Sequence, residues 1–550
     1  LLFVVHHALA LALLLLTAAA AGTAVAGSRM PLALRSALGL AVLGQVLVLL
    51  ATFGALRPWT IVSVIAFALA AGAARMQRGP VRGPVRWPLL ASSAAGTVPL
   101  FALALYPPLA FDETLYHLPF VQAMASSGAI RFLPDVRFPM FPQLHEALSV
   151  PLFLAAGDTA THLVALAELL LLGGVVFEWP GDRRAGLLAF ALLLGNPITL
   201  HQATITYVDM AVALFVVAGF RSLREQPAVA GFLLGTACSV KYLGWYFALA
   251  GLAFTILFSE HPRRAIPGFA LALAAAVLPT YALIVATTAN PVFPFFASLF
   301  GSSPWDFAVE KNAEPLVRAV RLFWDVTFAR ERVNQQPPYS PLFAVAVLVT
   351  ILAARRDRWA AFLALAGAGY VAIFVTMLSL DSRYLLPLLP LVSVVAASAV
   401  ARWKPIAIAV TLLSLAAGLA YVGYRFVRLG PLPLNDAQRR RFLEARIPEY
   451  SALERRGPGR IYVCGAEQLK SFGGRDLLGD VTGPYANRRV FAGDLSANLA
   501  RLEVRSLLVS RRACPAEWQR VPAESAFELV YADAGAVLWR ARLRSATDAR

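Results

Sequence analysis

Charge is what this sequence has least of. Of its 550 residues only 15% are Asp, Glu, Lys or Arg, where a soluble chain of this length carries roughly 25%. Long polar stretches are missing over most of the chain, which excludes a water-soluble globular fold. Acid is the scarcer sign, 32 Asp and Glu against 49 Lys and Arg. The resulting net charge of +17 does not mark a nucleic-acid surface, because the basic residues are dispersed between apolar spans and form no stripe. Three cysteines exclude a disulfide framework; Cys464 and Cys514 either pair in an oxidising compartment or stay free. What is present is hydrocarbon. Apolar residues make up 59% of the chain, in repeated segments of about 15–25 residues that fit membrane spans.

The spacing predicts a mainly α, polytopic transmembrane bundle of about 12–14 spans. Leu1 to Ala26 has the length of a signal sequence, but it lacks a basic leading region and runs on into further spans, so it reads as a membrane helix. The division expected is extra N-terminal spans over 1–87, a membrane core over 88–428 with long loops at 107–158 and 288–340, and a small α/β domain over 429–550. Alternate connections carry Arg29 and Arg35, Arg75 to Arg86, Arg183 and Arg184, Arg221 and Arg224, Arg263 and Arg264, Arg355 to Arg358, and Arg402 with Lys404. The opposite short connections carry little beyond Arg57, Lys241 and Arg383. Lys and Arg accumulate on the cytoplasmic side. Asp112, Glu113, Asp209, Lys241, Arg383, both long loops and the tail therefore all fall on the outer face.

That sorting singles out the ionisable residues near the membrane, where each is costly to hold. Asp112 and Glu113 stand together in Phe111-Asp112-Glu113-Thr114-Leu115-Tyr116-His117, ahead of an expected interfacial helix Glu113–Ser127. Spacing alone favours a helix cap for Asp112. A carboxylate held there can also deprotonate an acceptor hydroxyl or amine. Asp209, again a cap by position, can orient an acceptor or bind a divalent cation. Lys241 and Arg383 are the candidate phosphate binders, against snorkelling for Lys241 and a local pair with Asp381 for Arg383. His145 and Glu146, adjacent and so on different faces of a second loop helix, Gln143–Ala156, read as a solvated surface and not as a metal site.

In the second loop, Lys311–Arg332 reads as an amphipathic helix with Leu316, Val320, Phe323 and Trp324 on one side, placed to cover a cavity from outside. The tail offers strands at Arg460–Cys464, Ser506–Ser510, Phe527–Tyr531 and Ala536–Trp539, with helical stretches near 466–472 and 494–504.

Four motifs together resemble the GT-C superfamily of polyprenyl-phosphate-sugar-dependent glycosyltransferases, and most nearly family 39, the protein O-mannosyltransferase and lipid A aminoarabinose transferase group. They are Phe111-Asp112-Glu113-Thr114-Leu115-Tyr116, Tyr207-Val208-Asp209-Met210, Gly231 to Lys241, and Ser382-Arg383-Tyr384-Leu385-Leu386-Pro387. The resemblance covers about positions 88 to 400. It implies Asp112 as catalytic base, with Arg383 and Lys241 near the lipid phosphate and Glu113 and Asp209 in support. Where aminoarabinose transferases carry a Lys-Pro-Pro element, this chain has Phe138-Pro139-Met140-Phe141-Pro142, with Arg137 close by as a third candidate for the donor phosphate. The implied reaction moves a sugar from a polyprenyl-phosphate donor to a lipid, glycan or protein acceptor outside a bacterial plasma membrane, by single displacement with inversion. A flippase of lipid-linked sugar is the competing class, but no inverted repeat with paired broken helices is evident. A polysaccharide ligase or polymerase also fits the charge pattern.

Overall fold

The computed structural model describes residues 1–76, 97–301, 303–305, 307, 312–519, 522 and 526–542. Residues 88–96 of the expected span 88–106 lie outside them, as do Arg78, Arg82, Arg86 and Lys311. The chain opens with three apolar helices, α1 (Leu2–Ala26), α2 (Leu32–Thr52) and α3 (Pro58–Met76). Small residues let α1 and α2 meet backbone to backbone. A Cβ on Gly39 would sit 1.9 Å from the Ala18 carbonyl oxygen, and one on Gly22 1.7 Å from that of Arg35. The α2 helix is not peripheral: it is largely buried, and its Gln45 amide donates to Thr236 at 3.4 Å.

The first long loop folds as a π turn at Glu113–His117, then α4 (Leu118–Ser127) and α5 (Leu144–Ala156). The bundle resumes with α6 (His162–Glu178) and α7 (Arg183–Leu194). One span expected over 185–201 is broken at Asn196-Pro197, since proline cannot continue the helix hydrogen bonding; the Asn196 side chain instead accepts from the Ser340 amide at 2.8 Å. Next come α8 (Asp209–Ser222), α9 (Pro227–Val240), α10 (Gly244–Phe258) and α11 (Pro262–Thr288). The second long loop contains α12 (Pro315–Phe328), and α13 (Pro341–Ala354), α14 (Arg358–Met377), α15 (Leu388–Val400) and α16 (Lys404–Leu429) complete the bundle.

Among the described residues seven helices are long and apolar enough to cross a membrane, and five more are apolar but shorter. This is a multi-pass membrane protein. The arginine-rich connections share one end of it: Arg29 and Met30 line a cleft with Glu225 and Gln226, and the Ala33 amide donates to Glu178 at 3.3 Å. The arginine-poor connections gather at the other end, where the Leu56 amide donates to the Gly128 carbonyl at 3.0 Å.

The α12 helix is turned differently from expectation. Leu322 and Val326 pack inward, whereas Leu316, Val320 and Trp324 point away from the protein and cover no cavity. Both stripes are apolar, so composition does not say which one meets the bundle.

After α17 (Asp436–Arg446) the tail forms a five-stranded sheet in the order β2-β1-β3-β5-β4. The strands are β1 (Arg460–Cys464), β2 (Leu477–Leu478), β3 (Val504–Ser510), β4 (Phe527–Ala532) and β5 (Ala536–Ala541). β1 runs parallel to β2 and β3, and β5 antiparallel to β3 and β4. Two-residue alternation sends Ile461 and Val463 to one apolar layer, Tyr462 and Cys464 to the other. Cys464 and Cys514 form a disulfide.

The sheet domain is tied to the first loop by ion pairs. Lys470 meets Asp135, Arg137 meets Asp480 at 2.8 Å, and Arg439 meets Asp158 at 2.5 Å. Burial pulls the Lys470 ammonium below its usual range despite Asp135 beside it, so the pair is held by geometry in a desolvated place. Lys470→Met strands the Asp135 carboxylate and should destabilise the docked tail by about 3 kcal/mol. Thermal unfolding and limited proteolysis of the 430–435 linker would read the loss. Lys470→Met with Asp135→Leu should recover most of it, because two matched apolar groups replace the pair.

Candidate active site

The arginine-poor end of the bundle collects side chains that are far apart in sequence. The turn Ser382–Leu385 is set by Asp381, whose carboxylate accepts the Arg383 amide at 3.2 Å. That local turn folds the Arg383 guanidinium back, with Nε 3.0 Å from Asp381 Oδ2. Its Nη2 reaches Asp112 Oδ2 at 2.5 Å, and Nε lies 3.7 Å from Asp209 Oδ2. Tyr207 lies 4.5 Å below the guanidinium plane. The aromatic ring occupies the face and leaves the edges to anions.

Lys241 stands in the break between α9 and α10, where its backbone is extended. The chain doubles back tightly there: a Cβ on Gly244 would lie 2.4 Å from the Ala237 carbonyl carbon. Lys241 Nζ donates to Asp209 Oδ1 at 2.7 Å and sits 4.1 Å over the Tyr384 ring. Asp209 thus lies between both cations, and Asp112, Asp209 and Asp381 face Arg383 and Lys241 in one cluster. Lys241 remains 22% exposed and Asp112 17%, against 4% for Asp209 and 2% for Asp381. The cluster opens to the outside at Asp112 and Lys241.

Neither Asp112 nor Asp209 makes the helix cap that spacing favours; neither side chain accepts an end-of-helix amide. The π turn widens the chain just after Asp112, whose own amide donates to the Tyr207 hydroxyl at 3.1 Å. Burial works to raise the Asp112 carboxyl, but the charge and hydrogen bond of Arg383 overcome it and hold the group below the usual carboxylate range. Asp381 is different: burial outweighs its partners and pushes it up. Burial, then the nearby Asp112 charge, pushes the Tyr207 and Tyr116 phenols up as well.

Glu113 points the other way and is wholly buried. It accepts from the Leu109 and Ala110 amides at 3.2 and 3.1 Å, from the Thr206 amide at 2.7 Å, and meets His162 Nε2 at 2.5 Å. Its pKa is brought down to about 2: burial is opposed and outweighed by His162 and the backbone donors. Arg137 is also apart from the cluster. It pairs with Asp480 and lies 5.4 Å over Phe111.

His145 and Glu146 correct the expectation of a solvated surface, for both are fully buried. Being on different faces, they take different partners: His145 meets Glu168 at 3.0 Å, and Glu146 meets His117 at 2.5 Å. With His162–Glu113 this makes three buried histidine–carboxylate pairs beneath the site. The sequence signal was available, since each is an ionisable residue inside an apolar segment. Among the described residues no three His, Cys, Asp or Glu side chains are grouped to hold a metal ion.

A second space adjoins the cluster. A cavity of about 620 Å³ lies between the first loop and the tail, walled by Phe111 and Arg137 on one side and by Glu467, Gln468, Asn487 and Trp518 on the other. Its lip at Phe111 is one residue from Asp112.

No family model matches the sequence. An uncharacterized protein from Shigella flexneri is 31% identical over 125 residues, which is 21% of this chain. The chain spans 62% of that relative's length. Two crystal structures of ArnT from Cupriavidus metallidurans are similar in fold. The apo form aligns with a TM-score of 0.54 at 15% identity, and the form bound to undecaprenyl phosphate with 0.51 at 16%. Each alignment covers 82% of this chain and 97% of that one. The fold of this chain is therefore that of the ArnT structures, a transmembrane helical bundle, here with a small C-terminal sheet domain.

Proposed function

We propose that this protein is a membrane glycosyltransferase that moves a sugar from a polyprenyl-phosphate donor to an acceptor at the outer face of a bacterial plasma membrane. The observation that carries the reading is the convergence of Asp112, Asp209 and Asp381 on Arg383 and Lys241 at the mouth of the bundle. The GT-C fold is consistent with it, as is the Cys464–Cys514 disulfide, a feature of oxidising compartments. Disposition of the arginine-poor connections at the same end supports the sidedness.

In this reading both cations are already paired with carboxylates, and the donor phosphate exchanges for one of them. The incoming phosphate takes the Arg383 edge that Asp112 occupies and the free donors of Lys241. Asp112, relieved of its cation, becomes a stronger base. It accepts the acceptor's O–H proton as that oxygen bonds to the anomeric carbon; the bond from that carbon to the phosphate oxygen breaks, and the electron pair leaves with the polyprenyl phosphate. Arg383 and Lys241 hold the charge that develops on it. One carboxylate acting as base gives inversion. Asp209 positions Lys241, and Glu113 positions the segment bearing Asp112. Arg137 serves the acceptor side, at the cavity beneath the tail, and not the donor phosphate.

Purified protein given a radiolabelled polyprenyl-phosphate sugar and membrane extract tests the assignment. Asp112→Asn should lower transfer about 10²–10⁴-fold while donor affinity holds or improves, because Arg383 is released; equal transfer would sink the base assignment, and flipping of label without transfer would favour a transporter. Arg383→Lys keeps the charge but loses the fork, so the donor Kd should rise about tenfold with acceptor KM little changed. The acid limbs of the two pH profiles should differ in position. In the free enzyme Arg383 depresses Asp112, so kcat/KM should fall only below the ordinary aspartate value of 3.8. In the donor complex that depression is relieved, and the acid limb of kcat should move to higher pH. Coincident limbs would argue against the exchange.

A further inference from the structure

The α12 helix has three faces. Leu322 and Val326 are buried against the bundle. Arg318, Arg321 and Asp325 make a narrow polar seam. The remaining arc carries Leu316 at 81% exposure, Val320 at 84% and Trp324 at 63%, stacked at intervals of four, with Phe328 at 59% closing it. A continuous apolar stripe of this kind marks a surface that another phase or molecule covers.

Its height in the molecule identifies the cover. Just ahead of the helix, the Asn312 amide donates to Thr376 at 3.0 Å and its side chain to Leu378 at 2.9 Å; just beyond it, the Tyr339 amide donates to Val326 at 2.9 Å. The helix is therefore pinned where α14 ends and α13 begins, at the edge of the membrane-spanning region. Val345 on α13 and Met377 on α14, 53% and 45% exposed, continue the apolar surface below it. Arg318, Arg321, Arg330 and Arg332 outnumber Glu314, Asp325 and Glu331 along this rim, and that positive excess suits anionic headgroups. A second copy of the chain would bring the same arginines against themselves.

We propose that α12 is seated in the outer lipid interface, its apolar arc among the acyl chains and its arginine seam at the phosphates, and that this seating holds the Arg383 turn in place. The connection is short. Beyond α12, Asn334 donates to Asp381 Oδ2 at 2.8 Å, and the Tyr339 hydroxyl donates to the Ser382 carbonyl at 3.1 Å. Asp381 in turn carries Arg383. Bilayer contact at α12 thereby becomes a support for the cation cluster, whichever reaction that cluster performs.

The test uses the full chain in vesicles of phosphatidylcholine and phosphatidylglycerol with brominated acyl chains. The Trp324 signal is isolated by subtracting the emission of Trp324→Phe from that of the wild type. It should be quenched at least about twofold, more by bromines near the glycerol end than by those in mid-chain, as an interfacial depth requires. An unquenched Trp324, or a Val320→Cys variant that crosslinks chain to chain at that position, would overturn the lipid assignment. For the support, Leu316→Ser, Val320→Ser and Trp324→Ser are combined and hydrogen exchange is followed over 333–340. Exchange there should accelerate about tenfold with the tail strands unchanged; an unaltered rate would overturn the coupling.

Discussion

One buried carboxylate fixes the frame of the site. Glu113 joins three segments at once: the strap at Leu109 and Ala110, the connection at Thr206, and His162 at the head of α6. An isolated ion in that position would be prohibitive, and only a full set of donors makes it tolerable. Filling those positions leaves the carboxylate little freedom, and everything next to it inherits the constraint. Asp112 is set one residue away, and Tyr207, which supports both Asp112 and Arg383, follows Thr206 directly. The acidic pair is thus a division of labour: the inner member fixes position and the outer member faces the opening.

Around that frame the cations are arranged by competition. Arg383 has three carboxylates within reach and Lys241 shares one of them. Each cation has an aromatic ring against it, Tyr207 for Arg383 and Tyr384 for Lys241. The short local bond between Asp381 and Arg383 predicted by proximity in sequence is real, and it coexists with the long-range contact to Asp112, because a guanidinium has several edges. The two readings of Arg383, local partner and site cation, therefore did not exclude one another.

What could be read in advance follows periodicity. Apolar spans, the four longer tail strands and the α5 loop helix all have repeats of 3.6 or 2 long enough to stand out; the two-residue β2 has none and went unseen. Side-chain direction is not a periodic property, and there the reading failed. The outward turn of α12, the burial of His145 and Glu146, and the separation of Arg137 from the cation cluster all depend on which neighbour arrives. Partners such as Asp112 and Arg383 lie 271 positions apart, and nothing local encodes the meeting. The π turn after Asp112 was likewise hidden: an insertion of that kind leaves the apolar spacing of a helix nearly intact, while redirecting the residue before it.

A site whose cations are already paired imposes an entry rule. To displace an internal carboxylate from Arg383, a visitor must bring a negative charge at least as compact as the one it removes, in geometry that two parallel N–H bonds can grip. An uncharged sugar or a polyprenyl alcohol has nothing to trade, however well its shape fits. In the proposed reaction, discrimination would be settled at the moment of loading, by ion exchange, before the acceptor arrives.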